Sequence, residues 1–175
     1  MKNKIFISHS SKDISIVELF VEKILRLGLN IPSERIFCTS IEGHGVKSGE
    51  YIPDRLREEI QKSSLALLFL SNNYKQSEVC LNEVGAAWAV LQKENIIPLL
   101  LPNVGYDKLG FLDLNRLGLK IFETKSIIQL VQDCKEQLNP HFDLNQLHKQ
   151  IQIFIDELKI SHPVAKKKSK EEPKK

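Results

Sequence analysis

The segment Leu65–Trp88, LALLFLSNNYKQSEVCLNEVGAAW, decides the fold of this chain. Leu65–Leu70 is six apolar residues without interruption, the pattern of a strand buried on both faces rather than of one that alternates between core and solvent. Ser71–Tyr74 breaks the run, and helical spacing then extends from about Ser77 to Gln92. Cys80, Val84, Ala87, Trp88 and Leu91 fall on one face of that helix, the expected core stripe, with Glu83 on its flank among small residues. A buried strand followed at once by an amphipathic helix is half of a βαβ unit, so the neighbouring strands are expected to run parallel to it.

The same alternation continues in both directions. Upstream lie a short strand at Lys4–Ser8 (KIFIS) and a helix at Ile14–Leu27 carrying Val17, Phe20, Val21, Ile24 and Leu27, with Gly28 as its stop. A strand at Arg35–Cys38 follows, then a loop at Thr39–Tyr51 containing Gly43, Gly45 and Gly49, and a helix opened by Pro53. Downstream, Ile96–Leu101 reads as a buried strand despite Pro98, which removes one ladder donor. Residues 102–118 give no clear pattern. Lys120–Phe122 reads as a short last strand, Ser126–Leu138 as a helix, and 144–158 as a final amphipathic helix beyond the Asn139–Pro140 break. Five such alternations predict an α/β fold: a five-stranded parallel sheet, helices on both faces, right-handed crossovers, and an added C-terminal helix. The expected organisation is one domain over 1–138, a helical extension over 139–160 packed on it, and a disordered lysine-rich tail over 161–175. Ligands in such sheets bind at the carboxyl ends of the strands, near the reversal of strand order, which points to the loops after Ser8, Cys38 and Leu70.

Composition narrows the function. The formal charge of +3 is unevenly spread: residues 161–175 hold six lysines against two glutamates, leaving the rest of the chain near neutrality. No basic footprint for nucleic acid is expected on the folded body. Cys38, Cys80 and Cys134 are an odd number with no CxxC spacing, which suits a reducing compartment. The N-terminal segment has no signal-peptide core, and no apolar run approaches a membrane span, so a soluble, cytoplasmic protein is expected.

Several chemistries fail on residue type. No GxGxxG follows a strand, and the glycine loop GHGVKSG lacks the GK[ST] of a phosphate-binding loop. A phospho-receiver needs an acceptor aspartate at a strand end, where this chain has serines. His141 and His148 have no third ligand at matching spacing, so no metal site is expected. Two features remain. Glu83 lies in the first turns of a helix that starts at the functional end of the sheet, a setting that more often holds a solvated carboxylate complementing the helix dipole. Ser10 and Asp13, in HSSKD, are spaced as a variant capping box for the following helix and also lie at a strand's carboxyl end.

Taken in order, these segments resemble a bacterial Toll/interleukin-1 receptor (TIR) domain. KIFISHSSKD is similar to the family's first strand and loop, IEGHGVKSGEYIPDRLREEI to its BB loop and following helix, and LALLFLSNNYKQSEVCLNEVGAAWA to its third strand and serine–tryptophan–cysteine–glutamate motif. IIPLLL is similar to its fourth strand. The resemblance covers roughly residues 4–101 and implies the flavodoxin-like TIR fold.

In NAD-cleaving members of that family the motif glutamate is required, and it matches Glu83. The resemblance implies a NAD⁺ glycohydrolase or cyclase yielding nicotinamide and ADP-ribose or a cyclic isomer, acting in bacterial anti-phage signalling. It further implies Phe6, Ser8, His9, Ser10 and Cys80 as substrate-binding residues, and Gly43, Gly45 and Gly49 as the glycines of the BB loop. No cofactor is implied beyond NAD⁺ as substrate. The implied partners are further copies of the chain in an oligomer or filament and a separate sensor or effector protein, with no sensor domain recognisable in the chain itself. Val79 stands where the family's tryptophan is usual. The rival readings are a non-catalytic module working through homotypic BB-loop contacts, and a nucleotide-hydrolysing or nucleotide-sensing relative that uses the same cleft for another ligand.

Overall fold

The computed structural model describes residues 3–38, 52–104, 118–138 and 140–163. Gly43, Gly45 and Gly49, and the lysine-rich stretch after Pro163, lie outside the described residues. Five strands, β1 (Lys4–His9), β2 (Ile36–Cys38), β3 (Ser63–Leu70), β4 (Ile96–Leu100) and β5 (Leu119–Lys120), form one sheet in the order β2-β1-β3-β4-β5. Every pairing is parallel. Strand order reverses between β1 and β3, the flavodoxin-like arrangement in which the crevice at those two carboxyl ends is the ligand position.

Strand parity sorts the core onto two faces. Ile5 and Ile7 of β1, with Leu65, Leu67 and Phe69 of β3, pack against α1 (Ile14–Phe20), α5 (Thr124–Asp133) and α7 (Leu144–Ser161). Phe6, Ala66, Leu68 and Leu70 point the other way, toward α2 (Ile52–Lys62), α3 (Asn72–Lys75) and α4 (Glu78–Val90). Both faces of β3 are thus filled, as its unbroken apolar run requires.

Pro98 is accommodated by the same alternation. The Leu101 N–H donates to Leu70 O of β3 at 3.1 Å, so the donors of Leu99 and Ile97 face β3 as well. The position of Pro98 faces the β5 side, and β5 pairs only with Leu99 and Leu100. The missing N–H therefore costs no ladder bond among the described residues.

The first helix departs from simple expectation. It is α-helical to Phe20 and then widens into a π-helical stretch over Val21–Gly28. Gly28 is a close-approach residue as well as a stop, because a Cβ there would meet Lys23 O at 3.0 Å and Leu147 Cδ1 of α7 at 3.1 Å. The α7 helix is bound into the core through Leu147, Ile151, Phe154, Ile155 and Leu158. Phe20 stands edge-on to both Phe69 and Phe154, with ring centroids 5.2 and 5.5 Å away, which ties sheet, first helix and last helix together. The helix expected over 126–138 is broken at Cys134 into α5 and a short α6 (Lys135–Leu138).

Candidate active site

The site forms where β1 ends beside β3, at the reversal of strand order. Ser8 shares the parity of Phe6, so its side chain leaves the sheet on the α4 face. The α4 helix is started by Ser77, whose side chain accepts from Cys80 N at 3.3 Å. Its buried residues are Cys80, Glu83, Val84 and Ala87, at the spacing of a single core-facing stripe. Glu83 therefore lies within the stripe rather than on its flank. Trp88, expected to share that face, is instead 38% exposed.

Glu83 is 6% exposed, and Ser8 Oγ donates to its Oε2 at 2.5 Å. Ser8 Oγ also lies 2.7 Å from the Tyr74 hydroxyl, which in turn is 3.3 Å from Cys80 O. Among the described residues no lysine or arginine pairs with Glu83. The contrast with Glu59, a second buried glutamate among the described residues, is direct: Glu59 is held by Lys4 at 2.5 Å and Arg55 at 3.1 Å. A buried carboxylate with cations is explained by those pairs. Glu83 has only hydroxyl support, and burial pushes its carboxyl up from the ordinary 4.5 to about 7, with the Ser8 hydrogen bond pulling the other way. A buried carboxylate perturbed in this way makes Glu83 the candidate functional group of the crevice.

The other expected site residues lie on β1, on the loop after it and on α4. His9 is 6% exposed with Nδ1 3.6 Å from Cys38 Sγ and Nε2 without a hydrogen-bond partner. Burial lowers its pKa from 6.5 to about 4, against the opposing pull of Asp13, so the ring is neutral. Cys80 Sγ donates to His9 O at 3.3 Å, and burial raises that thiol to about 11, which keeps it protonated. Ser10 is buried. Phe6 has no exposed surface and stacks on Phe37, centroids 6.0 Å apart. The structure thus brings Ser8 and Cys80 against Glu83, while the His9 ring leaves β1 on the opposite face toward Cys38, Ser10 is buried in the following loop, and Phe6 lies one layer below in the core.

Two parts of the site were not anticipated. The Ser10–Asp13 capping pair does not form: neither side chain makes a capping hydrogen bond. The Asp13 carboxylate instead accepts from Ser71 Oγ at 2.5 Å and Asn73 Nδ2 at 2.8 Å, bracing the loop after β1 against the loop after β3. Ser71 Oγ also accepts from Tyr74 N at 3.0 Å, which caps α3 and places the tyrosine. The sequence signal was the serine three residues before Tyr74, a capping spacing inside what otherwise reads as a break.

Fold and site together define a doubly wound, flavodoxin-like α/β domain with a buried, hydroxyl-bound carboxylate at its strand-order reversal. The chain belongs to the TIR domain family, whose profile matches residues 5–136. It is 34% identical over 144 residues to the uncharacterized protein YddK of Bacillus subtilis (strain 168), an alignment covering 82% of this chain and 51% of that protein. The chain therefore spans about half the length of that relative. The TIR domains of the activated Roq1 resistosome, which directly recognizes the pathogen effector XopQ, align with a TM-score of 0.47 at 16% identity, covering 89% of this chain and 99% of that one. No helix among the described residues is long and apolar enough to cross a membrane.

Proposed function

We propose that the chain is a NAD⁺ glycohydrolase, with or without cyclase activity, in which Glu83 is the catalytic residue. The observation that carries this reading is the buried Glu83 carboxylate, without a cation partner among the described residues, at the crevice where sheets of this order bind ligands. The reaction breaks the bond between nicotinamide and the adjoining ribose. Nicotinamide leaves with the bonding electron pair, the ribose carbon takes on oxocarbenium character, and water or an adenine nitrogen of the same molecule closes the vacancy with loss of a proton. A carboxylate beside that carbon stabilises the developing positive charge and orients the ribose hydroxyls. Among the described residues no second carboxylate interacts with Glu83 in the manner of glycosidases, and a cationic leaving group needs no general acid. His9, Ser10 and Cys80 would line the substrate side of the rim, and no resident cofactor is required.

Glu83 and its neighbours are sealed in the structure, so binding requires the rim to open. We assign that opening to self-association, with the BB loop of a neighbouring copy completing the pocket. An assembled state and a separate trigger protein in anti-phage signalling fit this reading. A non-catalytic interaction module is the second reading, favoured by Val79, an apolar side chain 60% exposed one residue before Cys80.

The test is nicotinamide release from NAD⁺ by concentrated protein, with and without crowding agents, compared with Glu83→Ala. Release by the wild type and its loss in the variant are expected. Equal release from both would remove Glu83 from the mechanism, and no release from either under crowding would favour the interaction module.

A further inference from the structure

The hydroxyl of Tyr74 stands outside the roles assigned above, yet it is fully buried and touches the partner of the candidate catalytic group. A serine hydroxyl has one proton to donate. When Glu83 is ionised it can only accept, so the Ser8 proton must point to Oε2, and nothing is left for Ser8 to donate to Tyr74. At 2.7 Å the Tyr74 hydroxyl must then be the donor to Ser8. Burial raises the phenol well above its ordinary range, so that proton is always present. The order Tyr74 to Ser8 to Glu83 is dictated by proton count.

When Glu83 is protonated the order can reverse. The carboxyl donates to Ser8, Ser8 to Tyr74, and Tyr74 to Cys80 O at 3.3 Å. Both orders are satisfied, but only the first ends on a charge, and charge-assisted bonds are roughly twice as strong as neutral ones. The tyrosine therefore favours the ionised carboxylate. Among the described residues the ionisable groups that interact with Glu83 are Tyr74 of α3 and Cys80 of α4; Asp13 also faces Cys80, and His9 interacts with Asp13. On α2, which packs against α4, Glu59 is paired with Lys4 and Arg55, and Arg55 also approaches Glu58.

We infer that Tyr74 is a positioning residue for Glu83, acting through Ser8: its buried hydroxyl orients the single Ser8 proton onto the carboxylate and holds that carboxylate ionised and fixed at the rim. The inference deepens the glycohydrolase reading and uses the same site.

The experiment titrates the Glu83 carboxyl by carbon NMR in protein labelled with ¹³C at glutamate carboxyls, using Glu83→Gln to assign the signal. Tyr74→Phe keeps the ring and removes only the hydroxyl, and the midpoint is expected to rise by about half to one pH unit. Ser8→Ala should also raise it, and Tyr74→Phe added to Ser8→Ala should then change nothing further. In the nicotinamide-release assay the acid limb of the Tyr74→Phe profile should move upward by the same interval. An unchanged midpoint in Tyr74→Phe, or an equal further shift in the Ser8→Ala background, would overturn the inference. NMR coupling in a protein that releases no nicotinamide would support it and overturn the enzymatic reading alone.

Discussion

Replacing Glu83 with glutamine should favour the fold at neutral and alkaline pH relative to acid, by an amount that grows as pH rises to about 7 and is then level. The carboxyl titrates at about 7 in the folded protein against an ordinary 4.5, because burial disfavours its charge. Between those values the folded state keeps a proton that the unfolded chain has released. Stability therefore falls as pH climbs from about 4.5 to about 7 and is level above that. The displacement corresponds to about 3 kcal/mol. Glutamine stands in for the protonated acid, accepting from Ser8 without a charge, but it buries a new N–H₂ donor at a cost of about 1–3 kcal/mol. The absolute gain at pH 8 is then about 0–2 kcal/mol. The gain should be about 3 kcal/mol larger at pH 8 than at pH 4. The wild-type curve alone would hide this. His9, lowered to about 4, gives the opposite slope, its contribution being lost as pH falls from 6.5 toward 4. Urea denaturation of wild type and Glu83→Gln across pH 4–8 cancels the histidine and isolates the glutamate. A difference that stays constant across that range would refute the claim that Glu83 is held in a strained ionised state.

Further outcomes follow from individual residues. His9→Leu should remove the histidine's acid-side loss and unmask the glutamate's opposite slope, raising stability at pH 4 relative to pH 7 by about 2–3 kcal/mol compared with wild type in the same denaturation series. Gly85 lies inside α4, and a Cβ there would meet nothing within 4 Å. Gly85→Ala should therefore stabilise the protein by about 0.5–1 kcal/mol, read as a rise in Tm. Phe154→Ala removes the ring that meets Phe20 from α7 and should cost about 3–5 kcal/mol by denaturation. Nicotinamide release, if the carboxylate form of Glu83 is the active one, should rise with pH through about 7, and Glu83→Ala should lower it by roughly 10²–10³-fold.

Much of this protein is written in local pattern. The apolar run Leu65–Leu70 can only be a strand covered on both faces, and its alternation with helical spacing dictates a parallel sheet, because helices returning over a sheet leave no other arrangement. The family resemblance rests on the same ordered segments, and Glu83 could be singled out from them. What local pattern could not supply is the partner of each polar group. Asp13 looked like a capping residue to its own helix, yet it braces Ser71 and Asn73 some sixty positions away. Tyr74 was invisible as a site residue because its role depends on Ser8, brought to it by the pairing of β1 beside β3. The placement of Trp88 shows the same limit in reverse. A helical wheel fixes which residues share a face, while the neighbouring elements decide how wide a stripe is buried. Strand parity put Ser8 on the α4 side, but only the packed helix set its hydroxyl 2.5 Å from Glu83 and took the water from around both. A pKa is an energy difference between environments, and that environment exists only once β1, α3 and α4 have come together.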